Sequence, residues 1–430
     1  MIAQILFTLA LGVAVYFFAR QIQKVRRNIF LGRPQTIQDQ PEKRWKTMAR
    51  VAMGQSKMGT RPVAAFFHFL IYAGFIIINA EVLEIILDGI LGTHRLFQPV
   101  LGSLYPLLIG TFEILAVLVI LACGVFLARR FVTKTPRLQS RELAGFPTKD
   151  ATNILIIEWI LMSALLLMNA SDRQGGPFLV SQFFSPLFSG LSDPSAHAVE
   201  RVFWWVHILG IFAFLNYLPK SKHFHIILAF PNTWYSKLAV HGKMNHSEAV
   251  TREVRLMLDP SAAAEPAENT DMPPKFGAKD VQDLSWKQLL DAYSCTECGR
   301  CTSVCPANQT GKLLSPRKIM MDTRDRLEEV GKNIDTHGKE HQDGKSLLGD
   351  YITPEELWAC TTCNACAEIC PINIDPVSII TDLRRELVME QSSAPASLNS
   401  MFTNIENNGA PWQFSAMDRG NWAQEISNPS

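Results

Sequence analysis

Apolar runs alternate with polar stretches along the first 230 residues, and beyond that point the long apolar runs stop. Five stand out: Ile2–Ala19, Val63–Leu87, Leu104–Ala128, Ile154–Ala170 and Val202–Leu218. A helix needs about 20 apolar residues, within a range of about 17–25, to cross a hydrocarbon core roughly 30 Å thick. The second and third runs meet that comfortably; the first, fourth and fifth sit near the lower limit. Buried core helices of a large soluble domain would look similar one at a time. Five in series, each closed by polar residues, fit a membrane bundle better. The pattern predicts a mainly α protein, with a five-helix transmembrane bundle followed by a cytoplasmic α-helical domain.

The loops orient the bundle. Residues 21–61 carry ten Lys/Arg and residues 129–152 six more, whereas 88–103 and 171–200 hold only Arg95 and Arg173. Basic loops stay in the cytoplasm, so the N-terminus is expected outside and everything after the fifth helix inside, at the inner (cytoplasmic) membrane. The first run has no basic leader and no obvious small-residue cleavage site, and reads as an uncleaved anchor.

Composition refines this division. A chain of 430 residues allows two or three domains. With 41 Lys+Arg against 40 Asp+Glu, net charge +1, it has no global basic excess for nucleic acid. Charged residues make up 19%, below the roughly 25% usual in soluble domains. The mean hydropathy of +0.08 averages two unlike halves. We divide the chain into a bundle (1–230), a connector (231–284), a cysteine-bearing domain (285–390) and a tail (391–430). The connector contains the Pro/Ala-rich stretch 259–280. The tail is rich in Asn, Ser and Pro with scattered Phe402, Trp412, Phe414 and Trp422, and is a candidate partner contact with little core of its own.

Eight of the nine cysteines form two identical runs, Cys295-x-x-Cys298-x-x-Cys301-x-x-x-Cys305-Pro306 and Cys360-x-x-Cys363-x-x-Cys366-x-x-x-Cys370-Pro371. Each has the C-x₂-C-x₂-C-x₃-C-P spacing of bacterial ferredoxins, whose fourth cysteine ligates the other cluster when two are present. Three close thiolates wrap one face of a cubane while the x₃ step and the proline aim the fourth away. The spacing assigns one [4Fe–4S] cluster to Cys295, Cys298, Cys301 and Cys370, and the other to Cys360, Cys363, Cys366 and Cys305. Structural zinc would use paired ligands, and disulfides are rare in a reducing cytoplasm. Cys123, alone in the third run, reads as a small buried hydrophobe. Between the two runs, Ser315-Pro316 opens one helix and Thr353 caps another start, PEELW; Pro376–Met389 forms a third helix after the second run. The clusters are therefore expected between helices rather than in a β-hairpin ferredoxin.

Ionisable residues inside membrane helices are functional candidates by default. His68 lies roughly 9 Å inside the second helix at 1.5 Å per residue. His207 is about as deep from the opposite face. His225 follows it by eighteen residues, five turns on, and shares its helical face if the helix continues past Pro219. His68 and His225 then reach the same cytoplasmic level on two helices, the arrangement that clamps a haem b between imidazoles; His223 is the one-face-off alternative to His225. His207 has Ile78 and Asn79 opposite it on the second helix, and is a second-haem ligand with an unusual partner such as His94, part of a quinone site, or structural. Glu81, Glu84 and Glu113 lie in the outer halves of their helices and Glu158 near the inner end of the fourth. Glu84 is an interfacial candidate, and Glu81 and Glu113 are candidates for proton exchange with a quinone.

Two resemblances follow from these residues. FFHFLIYAGFIIIN around His68 and RVFWWVHILGIFAFLNYLPKSKHFHIILAFPN with His207 and His225 resemble the gamma-type cytochrome b family of respiratory nitrate reductase, shared by the heterodisulfide reductase membrane subunit. That family places two histidines on its second span and two on its fifth to hold two haems; here the second-span pair is reduced to His68, with Ile78 ten residues on. Residues 285–425, including CPANQTGKLLSPRKIM and NIENNGAPWQFSAMDRGNW, resemble the iron–sulfur domain of heterodisulfide-reductase-like oxidoreductases. Cysteine-rich CCG modules commonly follow that domain, and none does so before Ser430, so the resemblance implies a separate CCG-type subunit. Together these imply a quinone-linked electron-transfer subunit of a respiratory-chain oxidoreductase in a hetero-oligomeric complex. Its soluble partner would be a disulfide-reductase-like subunit, an electron-transferring flavoprotein or a 2-hydroxyacid dehydrogenase. The rival expectation is a redox-sensing or assembly protein without turnover, which would tolerate loss of the intramembrane histidines.

Overall fold

The computed structural model describes residues 1–176, 178–239, 242–244, 247–259 and 275–427. Most of the 259–280 stretch expected as a linker thus lies outside the described residues. The described residues are helical and form no sheet, with only two isolated bridges, Arg33–Ser285 and Leu348–Ile352. Among the described residues, five helices are long and apolar enough to cross a membrane: Ile2–Ile29, Pro62–Leu91, Gln98–Phe131, Phe146–Ser171 and Asp193–Lys220.

Each span outruns its apolar stretch, because polar ends that leave the hydrocarbon remain helical. Pro62 starts the second span at the position where a missing N–H costs nothing, and Gly92, at φ 74°, closes it in the left-handed conformation. The spans pack on one another around Tyr105, Ile109, Phe112, Ala116, Leu165 and Ile208, all buried. Ile5, Leu6, Leu9, Phe66, Leu107 and Leu121 point outward, as a lipid-facing surface requires.

The first span continues ten residues beyond Ala19, carrying Arg20, Lys24, Arg26 and Arg27 out of the bundle. This extension is the main strut to the cysteine domain. Lys24 pairs with Asp335 at 2.7 Å, Arg27 donates to Asp335 and to the Gly331 carbonyl, and Asn28 donates to Tyr293 Oη at 3.0 Å. Residues 275–284 belong to the same packing, with Ala278, Val281 and Leu284 fully buried. The cysteine domain is built on Trp286–Ser294, Pro316–His337 and Pro376–Arg385. Ser315 and Thr353 cap their helices as expected, and Thr353 forms a capping box with Glu356. Beyond it, Ala396–Asn408 and Asn421–Ser427 are helical, and Trp412, Phe414 and Trp422 are exposed.

One expectation is corrected. The fifth helix does not run through Pro219: its α-helical part ends at Tyr217, and two short 3₁₀ turns, Leu218–Lys220 and Lys222–Phe224, precede a new helix, His225–Trp234. Proline lacks the N–H needed to continue, and Ser221 Oγ accepts from the His223 amide at 3.1 Å to start the second turn. His225 therefore does not reach its position by five unbroken turns from His207.

Candidate redox centres

The two cysteine runs fold alike. After Cys295 the chain passes through left-handed residues at Glu297 (φ 55°) and Gly299 (φ 70°) before the short helix Arg300–Val304. Sixty-five residues on, Thr362 (φ 55°) and Asn364 (φ 60°) repeat the pattern before Ala365–Ile369. Alternating left- and right-handed residues gather backbone N–H groups on one side, favourable for an anionic cluster; the Thr362 amide already donates to Cys360 Sγ at 3.4 Å. Each run leaves its helix through an extended Cys-Pro step at Cys305 and Cys370.

Cys295, Cys298 and Cys301 line one cavity together with Cys370, the fourth cysteine of the other run, and Cys366. Cys305 stands instead within electrostatic reach of Cys360 and Cys366, and Cys363, which is exposed, of Cys360. No three His, Cys, Asp or Glu among the described residues converge closely enough for a single metal ion. The thiols bound a cavity rather than a point, and a soft set of thiol donors around a cavity suits a cubane. Burial pushes the Cys295 thiol up to about 12 and Cys370 up to about 11, so metal-free thiols hold their protons and ligation must displace them.

The first cavity rests on the near end of the bundle, in a collar of arginines. Arg137 donates to the Cys298 carbonyl, and Arg300 reaches the Lys57 carbonyl at 3.2 Å and Thr60 Oγ1 at 3.1 Å. Arg317, fully buried, donates to the Arg137 carbonyl and pairs with Glu142, both at 2.7 Å. Glu297, inside the first run, is held by Arg324 at 2.9 Å and by Lys222. Burial opposes its ionisation, but these two cations keep the carboxyl below its ordinary range.

Lys222 leads back to the histidines. His225 Nδ1 donates to the Lys222 carbonyl at 3.1 Å, and His68 Nδ1 lies 3.2 Å from Gln55 Oε1. The ring centroids of His68 and His225 are 6.3 Å apart, with the planes tilted by 44°. Two imidazoles on opposite sides of one iron, with bonds of about 2 Å and about 1.2 Å from each nitrogen to its ring centre, would stand about 6.4 Å apart. With each Nδ1 engaged by an oxygen, each Nε2 is the free nitrogen, which is how ligating histidines are usually oriented. This spacing and these Nδ1 partners would allow His68 and His225 to hold a haem iron between them. His223 lies beside the same pair, its ring centroid 5.6 Å from that of His225 and 5.4 Å from that of Phe214. His207 is not brought to this pair: its Nδ1 lies 2.8 Å from the Leu161 carbonyl, and its buried Nε2 has no partner. His94 lies 3.1 Å from Asp172 rather than against His207.

Residues 294–374 match the family model of the 4Fe-4S dicluster domain. The chain is also similar to a probable iron-sulfur-binding oxidoreductase, FadF, of Bacillus subtilis, 29% identical over 98% of this chain and 61% of that protein. It is similar to the EtfAB:quinone oxidoreductase of Syntrophomonas wolfei, 26% identical over 87% of this chain and 53% of that protein. The cysteine region is 36% identical to a subunit of the ferredoxin/F(420)H(2)-dependent CoB-CoM heterodisulfide reductase of Methanosarcina acetivorans, over 27% of this chain and 60% of that subunit. The chain thus spans between half and two thirds of the length of each of these relatives. They are iron–sulfur oxidoreductases and heterodisulfide-reductase subunits. No solved structure gives a significant match.

Sequence reasoning missed Gln55, Lys222 and Glu297. A carboxylate placed between two cluster cysteines was a usable signal for Glu297. Gln55 follows a glycine in a turn that apolar periodicity does not reach.

Proposed function

We propose that this chain is a membrane-bound electron-transfer subunit linking the quinone pool, through haem b and two [4Fe–4S] clusters, to a cytoplasmic redox partner. His68 and His225 would hold the haem, with Cys295, Cys298, Cys301 and Cys370 on the near cluster and Cys360, Cys363, Cys366 and Cys305 on the far one. The cofactors supply one-electron chemistry, and the protein supplies placement, orientation and electrostatics. One observation carries the reading: a single residue, Lys222, accepts from His225 Nδ1–H through its carbonyl and pairs with Glu297 through its ammonium, joining the histidine pair to the first cysteine run. The exposure of Cys363 supports an outlet at the second run. The relative named for EtfAB and quinone supports a quinone on the membrane side and an electron-transferring flavoprotein on the soluble side; the heterodisulfide reductase relatives support a CCG-type subunit in the same position.

The test is a cofactor assay on detergent-purified protein. Pyridine haemochrome should give about one haem b, and iron and acid-labile sulfide on the order of eight each beyond it, as two cubanes require. His68→Ala should lose the haem and keep the clusters. Protein with both clusters and no haem would overturn the wiring and favour a redox sensor anchored by its bundle.

A further inference from the structure

The end of the bundle opposite the cysteine domain holds carboxyl groups that the electron path does not use. Glu81, Glu84 and Asp88 stand at i, i+3 and i+7 on one face of the second span, and all three are buried. That spacing stacks them along about 10 Å of helix at 1.5 Å per residue. Asp88 meets the surface loop, accepting from Thr93 Oγ1 at 2.5 Å and from the Arg95 and Leu96 amides at 2.8 and 3.2 Å. Glu84 accepts from Tyr105 Oη at 2.9 Å and from the Phe97 amide at 2.7 Å. Glu81, 2% exposed, has no partner on either oxygen, and is the only side chain among the described residues with two such atoms.

A buried carboxyl with nothing to bond calls for an explanation, and within a membrane span it indicates a task. Glu81 feels the charges of Arg95, Glu84 and Glu113. Arg95 also donates to Asp172, Asn169 and Tyr105 at 2.9, 2.9 and 3.3 Å. Glu113 is fully engaged by Asn169 and by the Val180 and Ser181 amides, at 3.0, 2.6 and 3.1 Å. Glu81, Glu84 and Asp172 thus lie around one guanidinium, which cannot itself give up a proton, and His94 also reaches Asp172 at 3.1 Å. Among these carboxyls Glu81 is the one with both oxygens unbonded, and so the natural place for a proton to enter and leave.

We propose that Glu81, Glu84 and Asp88 form a redox-linked proton ladder from the bundle interior to the surface at Thr93, with Tyr105 bridging to Glu84 and Arg95 supplying the counter-charge. Resting on the function proposed above, its inner end exchanges protons with the quinone head group. Oxidation of one quinol releases two electrons, which the bound cofactors would take up, and two protons. Each proton leaves a quinol O–H for the Glu81 carboxylate, then passes through Glu84 and Asp88 to water; quinone reduction runs the same steps backwards.

The experiment uses the cofactor-loaded full chain and menadiol as the quinol probe. Glu81→Gln should slow menadiol-driven cluster reduction by tenfold or more while dithionite reduces the clusters to the same extent as in wild type, which also shows the variant is folded. Glu81→Asp should recover part of the rate, and Glu84→Gln should slow it comparably. A Glu81→Gln variant that reacts like wild type overturns the ladder. Wild-type protein that ignores menadiol refutes the quinone reading itself. The ladder is then judged by infrared difference spectra on electrochemical reduction. A protonated-carboxyl band present in wild type and absent in Glu81→Gln supports it, and spectra without that band overturn it.

Discussion

Gly299 tests how the first cysteine run is seated on the bundle. It takes φ +70°, and a Cβ there would lie 2.4 Å from Arg317 Nη1 and 3.0 Å from the Arg137 carbonyl. Arg317 has no room to retreat, because it is fully buried and its two Nη atoms are committed to the Arg137 carbonyl and Glu142. Any side chain at 299 therefore costs a hydrogen bond to a charged group, about 1.5–3 kcal/mol. Alanine adds the left-handed penalty of about 1–2 kcal/mol, which asparagine largely escapes. The second run provides the control. Asn364 takes φ 60° at the equivalent position and donates only to the Thr362 carbonyl at 3.0 Å. The expected order is Gly299→Ala at about 2.5–5 kcal/mol, Gly299→Asn at about 1.5–3 kcal/mol and Asn364→Gly within about 1 kcal/mol of wild type. The readout is the urea dependence of cluster absorbance in detergent, where 1.4 kcal/mol is a factor of ten in the equilibrium. Gly299→Asn as stable as wild type would show that glycine is needed for its backbone angle alone, and would refute the argument that Arg317 is pinned.

Three further expectations are independent of that one. Gln55→Leu removes the oxygen beside His68 Nδ1 and should weaken haem binding about 10–100-fold, read by titrating haem into apoprotein; unchanged affinity would remove Gln55 from the site. Cys370→Ser should lose the same paramagnetic cluster signal as Cys295→Ser, and Cys305→Ser the same signal as Cys360→Ser; the opposite grouping would disprove the crossover. Burial alone would raise the Glu142 carboxyl, but the hydrogen bond and charge of Arg317 outweigh it and hold it below its ordinary value of 4.5. A depressed folded value means that the stability is present above about pH 4.5 and lost as pH falls through the folded value. The stability difference between wild type and Glu142→Gln should therefore be full at pH 7 and vanish at more acid pH. A difference that persists below that window would contradict the pairing.

The membrane bundle and the two cysteine runs were legible because each rests on a local signal. A span is recognised by its own composition, and a cluster motif by spacings of two and three residues. The strut formed by the end of the first span was not legible, since Lys24 and Arg27 read as the polar end of a membrane helix until Asp335 and Gly331 are seen to meet them. The rings of His68 and His225 lie 6.3 Å apart although the helix expected to lead unbroken to His225 is interrupted at Pro219, so their approach depends on a break that apolar periodicity does not register. Glu84 was read as interfacial because its distance from the helix end suggested it. Its burial comes from Tyr105 and the Phe97 amide, which follow in the chain but whose contacts depend on how the connecting segment folds back. Positions set by long-range polar contacts carry no periodic signature, and these were the ones that sequence left open.

The second span joins the two chemistries, with His68 toward the cysteine domain and Glu81 thirteen residues beyond it. At 1.5 Å per residue this is about 20 Å along the helix, roughly two thirds of a 30 Å hydrocarbon core. If protons are exchanged at Glu81 and electrons leave near His68, each electron crosses most of the membrane while its proton leaves at the opposite face. A transmembrane potential acts on one charge with about 2.3 kcal/mol per 100 mV, so two thirds of the span corresponds to about 1.5 kcal/mol, close to tenfold in the equilibrium. With the face opposite the cysteine domain made positive by a potassium diffusion potential in proteoliposomes, cluster reduction by quinol should become less favourable by about that factor per 100 mV. An equilibrium indifferent to the potential would place the quinone beside His68, on the same side as the clusters. Glu81, Glu84 and Asp88 would then need a task other than quinone chemistry.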